Sequence, residues 1–135
     1  MGQKIGLDTS FWIYFLEENP KYLHKIRPFV DAIEAGRIEA VFSSIGLIEV
    51  LTGPKRAGNF ELAGQYRELL ARFPNLTIGG MNESIVEIAS NLRATYEIST
   101  PDAIHIATAI DANAQKFITN DKALRKIKEI SIALL

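Results

Sequence analysis

The stretch from Ser99 to Ile110 constrains this chain more than any other. It predicts a helix. Ser99 or Thr100 caps it, and Pro101 suits the first helical position, where its missing N–H would be unbonded anyway. Ala103, Ile104, Ile106, Ala107, Ala109 and Ile110 make that helix apolar on nearly every side. A helix apolar all round is a buried helix, and its alanines let neighbouring elements approach closely. Asp102 falls in the first turn, where free N–H groups and the macrodipole favour an anion by about 0.3–1 kcal/mol. A carboxylate therefore stands at the tip of a buried helix. It either completes a cap or faces other groups.

Composition bounds what those groups can be. The 135 residues are expected to form one domain, 1–135, long enough to bury about two-thirds of the unfolded chain's surface. With 47% hydrophobic and 23% charged residues the chain is globular and not disordered. It has no cysteine, which excludes disulfides, thiolate nucleophiles and Cys-type zinc sites. The N-terminal apolar runs, Ile5–Leu7 and Phe11–Leu16, are split by Asp8 and ended by Glu17-Glu18. They fit neither a signal peptide nor a membrane span, so a cytoplasmic protein with no membrane partner is expected. Net charge is −1, so any nucleic-acid binding must come from a local basic patch.

Along the chain, Lys4–Leu7 reads as a buried strand ending at Asp8, and Asp8-Thr9-Ser10 supplies caps for a helix through Phe11–Leu16. Asn19-Pro20 breaks that helix. A second follows, with Pro28 early in it, and Gly36 is a good residue to end it. Glu39–Ser43 looks like a second strand. Ser44 is expected to cap a helix over Ile45–Leu51 that Gly53-Pro54 ends, leaving Lys55-Arg56 in a basic loop. Asn59 caps an amphipathic helix to about Phe73. Leu76–Ile78 is a third strand, and Asn82 or Ser84 starts a helix to about Arg93. After the Ser99 helix, Gln115–Thr119 makes a fourth strand. A short basic helix over Lys122–Lys128 and a last strand, Ile130–Leu134, complete the chain.

Alternating strands and helices imply a parallel sheet covered on both faces, with ligands beyond the carboxyl ends of its strands. Asp8 and Asp121 lie at strand ends, Glu49 lies in the helix leaving the second strand, and Asp102 is at a helix N-terminus. If these ends converge, four carboxylates share one cleft. Two carboxylates about 4 Å apart repel by roughly 4 kcal/mol at an effective dielectric of about 20. No His, Lys or Arg is evident beside any of the four to neutralise them. A divalent cation would do so, and all-oxygen ligation points to Mg²⁺ or Mn²⁺ and not to zinc.

Other chemistries find little support. The chain has no GxxxxGK[ST] loop, GxGxxG turn, HExxH or GxSxG. Asp8 lacks the second aspartate two residues on that an aspartyl-nucleophile phosphatase would use, since Ser10 stands there. His105, one turn from Asp102, is either a general base or a histidine hydrogen-bonded within the core.

In their local contexts the four acids resemble the PIN-domain family, specifically VapC-type toxins. The matching pieces are Leu7-Asp8-Thr9-Ser10; Ser43-Ser44 with Glu49-Val50-Leu51 and Gly53-Pro54; Thr100 to Ala107; and Phe117 to Asp121 followed by Leu124. The resemblance spans Ile5 to the final strand. It implies a three-layer α/β/α fold with a central, mostly parallel sheet. It also implies Mg²⁺ or Mn²⁺ dependence, endonuclease action on RNA, a homodimer, and inhibition by a partner antitoxin. On this reading Asp8, Glu49, Asp102 and Asp121 are the catalytic and metal-holding residues. Thr9, Ser44 and Asn120 contact phosphate or orient ligands, and Lys55 and Arg56, with Lys122, Arg125 and Lys126, track the RNA backbone. The alternative is a non-catalytic metal- or RNA-binding module, or an assembly subunit, on the same fold.

Overall fold

Short apolar runs bounded by turn residues become parallel strands in the computed structural model, which describes residues 2–135; Met1, the first residue of the expected 1–135 span, lies outside the described residues. The strands are β1 (Gln3–Leu7), β2 (Ile38–Ser43), β3 (Leu76–Gly79), β4 (Lys116–Thr119) and β5 (Ser131–Leu134). They form one sheet in the order β3-β2-β1-β4-β5. The sheet expected to be mostly parallel is parallel at every pairing. The helices are α1 (Thr9–Leu16), α2 (Leu23–Glu34), α3 (Ser44–Arg56), α4 (Phe60–Arg72), α5 (Glu83–Thr95) and α6 (Thr100–Asp111), and a 3₁₀ turn spans Lys122–Lys126. Among the described residues no helix is long and apolar enough to cross a membrane.

Side chains alternate across each strand, so the sheet feeds two cores. On one face Val41 and Phe117 pack with Ile85 and Leu92 of α5 and Ile106 of α6. On the other, Ile5, Leu7 and Phe42 pack with Phe11 and Trp12 of α1 and Ile26 and Ile33 of α2. Helices cover both faces, giving the α/β/α layering that an all-parallel sheet requires. The helix at Ser99 is buried as its composition demands, with Ala103, Ile106, Ala107 and Ala109 at most 1% exposed. It lies close to β1 because Gly6 has no side chain: a Cβ there would collide with the Ala109 methyl.

The structure corrects several local expectations. Ser43, not Ser44, caps α3, accepting from the Gly46 N–H at 3.1 Å. Gly53-Pro54 does not end that helix, which runs on to Arg56 and carries Lys55-Arg56 in its last turn. Gly58 makes the stop. Its φ is +76°, and the N–H groups of Gly58 and Asn59 close back onto the carbonyls of Lys55 and Pro54. Pro54 removes one N–H, whereas Gly58 supplies the left-handed residue a helix end needs. Pro28 sits in the middle of α2, not early in it. The basic segment after Asp121 is a 3₁₀ turn ending at Lys126.

Candidate active site

The chain moves from β1 out to β3 at one edge, then returns to place β4 on the other side of β1. The connections leaving β1 and β4 therefore diverge, and a crevice opens at their carboxyl ends, where parallel sheets bind ligands. Register aligns Leu7 with Ile118, so Asp8 and Thr119 follow side by side. The Asp8 N–H continues the ladder, donating to the Ile118 carbonyl at 3.0 Å.

Asp8 is the N-cap of α1, and its Oδ1 accepts from the Thr9 N–H at 2.7 Å. Its Oδ2 accepts from Thr119 Oγ1 at 2.6 Å. Thr119 is fully buried, and the same Oγ1 accepts from the Asp121 N–H at 3.1 Å. One hydroxyl thus ties together two of the acids. Asp121 is exposed and caps the 3₁₀ turn through Oδ1, which accepts from the Ala123 N–H at 2.9 Å.

Asp102 is half-buried in the first turn of α6, whose cap is Ser99. Its carboxyl is held above the ordinary carboxylate range, first by burial and then by the negative charges of Asp8 and Asp121, with Ser99 and His105 opposing. Asp102 is therefore a cap-region anion that also feels two other acids. The charges of Asp8 and Asp121 thus both reach Asp102.

Glu49 lies on the exposed face of α3 and has partners as well. Its Oε1 accepts from Thr9 Oγ1 at 2.7 Å and from His105 Nε2 at 2.9 Å. His105 is 4% exposed, and its Nδ1 lies 2.6 Å from Ser43 Oγ. A carboxylate only accepts, so the contact with Glu49 calls for a proton on Nε2, and in the neutral ring Nδ1 then accepts from the Ser43 hydroxyl. The expectation that no histidine stands beside an acid fails here, because the strand-end serine and the buried helix meet only in three dimensions. Gly46 permits the crowding: a Cβ there would strike the Phe42 ring and press on Thr9 Oγ1.

The remaining sequence candidates are more scattered. Ser44 is the first residue of α3 and half-buried. Asn120 is half-buried, and its Nδ2 donates to the Tyr14 hydroxyl at 2.8 Å and to that of Tyr22 at a longer 3.4 Å. Lys55 and Arg56 are exposed in the last turn of α3. They lie about 9–10 Å along its axis from Glu49 at the helical rise per residue. Lys122, Arg125 and Lys126 are exposed on the turn behind Asp121. Sequence reasoning missed the part played by Thr119 and the stacked pair Tyr14–Tyr22. Strand register and helix packing put these residues at the site, and neither is written in local spacing. A separate open cavity of about 510 Å³, lined by Lys4, Glu39 and Leu76, lies at the amino ends of the strands and away from these acids.

Among the described residues, no three carboxylate or imidazole groups stand close enough to grip one ion by themselves. The acids at the crevice offer hard oxygen donors, and the Asp102 carboxyl stays raised by burial and by its acidic neighbours despite Ser99 and His105. Such a set fits Mg²⁺ or Mn²⁺ that keeps most of its water and touches one or two carboxylates, not an ion caged by protein alone.

The comparisons with known proteins agree with this geometry. The PIN domain family model matches residues 5–130. No curated protein matches the chain. Among solved structures, the chain is similar to VapBC2 from Rickettsia felis bound to a promoter DNA fragment, with a TM-score of 0.77, 19% identity and 98% of each chain covered. It is also similar to a toxin–antitoxin complex from Klebsiella pneumoniae, with a TM-score of 0.70, 25% identity, and 96% of this chain and 95% of that one covered. A third is VapC20 of Mycobacterium tuberculosis, a sarcin-ricin-loop-cleaving toxin, at a TM-score of 0.69 and 17% identity, covering 94% of this chain and 98% of that one.

Proposed function

The chain belongs to the PIN domain family, and from that premise we propose that it is a metal-dependent endoribonuclease, the toxin of a type II toxin–antitoxin pair. The observation that supports this reading is the electrostatic influence of Asp8 and Asp121 on Asp102 beside the carboxyl ends of β1 and β4, which with burial raises the Asp102 carboxyl pKa. Asp8, Asp102 and Asp121 would hold Mg²⁺ or Mn²⁺, in part through the ion's own waters, and Glu49 would ligate directly or through water. The bound ion supplies Lewis acidity and offsets charge on the phosphate. The protein's own part is positional. Thr119 and the α1 cap fix Asp8. Thr9 and His105 fix Oε1 of Glu49, leaving Oε2 to take the proton of the attacking water. Water adds at phosphorus, one P–O ester bond breaks, and Glu49 receives the proton. Ser44 contacts phosphate oxygens, Asn120 orients the neighbouring tyrosine hydroxyls, and Lys55 and Arg56 track the backbone farther out.

The toxin–antitoxin neighbours support an inhibitory antitoxin partner. The exposed Met81 and Val86, beside an apolar groove of about 400 Å³ that reaches Ile104, support a homodimer. We place the protein in the cytoplasm and treat residues 1–135 as one PIN-like domain. The test is incubation of purified protein with structured RNAs, with Mn²⁺ and with chelator. Cleavage should require the ion, and Asp8→Ala or Asp121→Ala should lose more than the ~10–100-fold typical of changes outside the ligand set. Cleavage that survives chelator or either substitution would overturn the mechanism and favour the non-catalytic binding module.

A further inference from the structure

Beside Asp121 the molecule carries a group of side chains that the acids do not use. Tyr14 of α1 and Tyr22, just before α2, stack with ring centroids 4.3 Å apart and planes 9° from parallel. Asn120, the residue before Asp121, donates Nδ2 to both hydroxyls. Each hydroxyl, occupied as an acceptor, keeps its own proton to donate. The ammonium groups of Lys21 and Lys25 lie 5.3 and 5.6 Å from the centroid of the Tyr22 ring. Both lysines are exposed, and neither takes part in an ion pair among the described residues. The Tyr22 hydroxyl titrates below its ordinary value, chiefly because Asn120 hydrogen-bonds it and then because the two ammoniums lie near.

Two cations, two hydroxyl protons and a rigid aromatic base make a site for an oxyanion. Stacking holds Tyr22 in place, and the ring face attracts the ammoniums and limits their wandering. Asn120 couples the group to the acids, since its backbone continues directly into Asp121. We infer that Tyr14, Tyr22, Asn120, Lys21 and Lys25 form a subsite that holds backbone phosphate of the RNA strand next to the phosphodiester being cleaved. The assignment rests on the nuclease reading above and adds where the strand runs: along the start of α2, not only past Lys55 and Arg56. A strand bound there passes from a cationic patch to an acidic one, so the ammoniums offset the repulsion between RNA and the carboxylates.

The experiment measures anisotropy of a fluorescein-labelled, single-stranded RNA in chelator across a range of salt concentrations. Binding is then read without cleavage, so failure of the subsite and failure of the nuclease reading are separate results. A Lys21→Gln/Lys25→Gln double variant should bind about tenfold more weakly at low salt. The slope of log affinity against log salt should flatten by about 0.7 for each phosphate released, a total of about 0.7–1.4. Tyr22→Phe keeps the stack and loses one donor, so affinity should fall about two- to tenfold with the salt slope unchanged. An Arg37→Gln/Arg67→Gln double variant makes the same charge change on other surfaces and should match wild type. With Mn²⁺ present, the lysine double variant should raise KM and leave kcat within about twofold. If its affinity and salt slope equal those of wild type, or if the arginine control loses as much, the RNA subsite is overturned. The lysines then serve another partner, such as an acidic protein surface.

Discussion

Thr119 shows how much one hydroxyl can decide at the residue scale. It donates to Asp8 Oδ2 and accepts from the Asp121 N–H, in a position with no exposure to solvent. Thr119→Val keeps the shape and removes both bonds, so a partly buried N–H and a carboxylate oxygen each lose a partner. The expected loss of stability is about 1–3 kcal/mol, read from urea unfolding. Single-turnover cleavage should also fall about 10–100-fold, because Asp8 would be held by its α1 cap bond alone. Thr119→Ser keeps the hydroxyl and should recover most of the activity. A valine variant that folds and cleaves within twofold of wild type would show that Thr119 does not position Asp8. His105 follows the same logic from inside α6: it is buried and hydrogen-bonded, as the core reading of it expected, and its partners are Ser43 and Glu49.

Elements were legible in this chain where composition dictates them, and their ends were legible only in part. Every expected strand is present within a few residues, and so is every expected helix but the basic one after Asp121, a 3₁₀ turn, and the one that runs on to Arg56, because apolar runs and 3.6-residue patterns are local signals. Asn59, Asn82 and Ser99 cap as read. Gly53-Pro54 misled because proline near a helix end costs one hydrogen bond, whereas the reversal needs a left-handed residue, and Gly58 supplies it. The positions of Asp8, Asp102 and Asp121 were legible for a similar reason, since strand ends and helix starts are local. Thr119, His105 with Ser43, and the tyrosine pair depend on strand register and helix packing, which spacing does not encode. The end of α1 uses the same left-handed closure as α3, but with a glutamate. Glu18 has a φ of +51°, and the N–H groups of Glu18 and Asn19 return to the carbonyls of Phe15 and Tyr14. A side chain at that φ costs about 1–2 kcal/mol that glycine avoids, less the extra entropy of about 0.5–1 kcal/mol that glycine loses on folding. Glu18→Gly should therefore stabilise the protein by about 0.5–1 kcal/mol, visible as a higher thermal midpoint with unchanged cleavage per molecule. A lower midpoint would mean that the glutamate makes an interaction outweighing its strain.

At the scale of the whole molecule, Asp102 feels the charges of Asp8 and Asp121, and stability should report that repulsion. Asp102 carries a raised carboxyl pKa, first through burial and then through Asp8 and Asp121. Between the ordinary carboxylate value of about 3.8 and that raised value, the folded state holds more protons at Asp102 than the unfolded chain does. Stability then falls as pH rises through the interval, and the penalty is complete above the folded pKa. Most paired acids have the opposite sign. Asp102→Asn removes the charge and should melt above wild type at neutral pH in chelator. Asp102 is only half-buried, so solvent screens much of the effect, and the gain should stay within about 2–4 °C, the shift that ~1 kcal/mol produces. The advantage should vanish below the ordinary carboxylate range, where Asp102 is protonated in both states. Losing an anion at the tip of α6 works against the variant by about 0.3–1 kcal/mol, so the repulsion must exceed that for the sign to hold. Mn²⁺ should reverse the ranking. Wild type should gain about 2.7 kcal/mol at a hundredfold excess over the dissociation constant, and Asp102→Asn much less. Thermal melts of both proteins across pH, with chelator and with Mn²⁺, decide the matter. If the variant melts below wild type in chelator and both respond equally to Mn²⁺, Asp102 serves α6 as a cap alone and the acids do not act together.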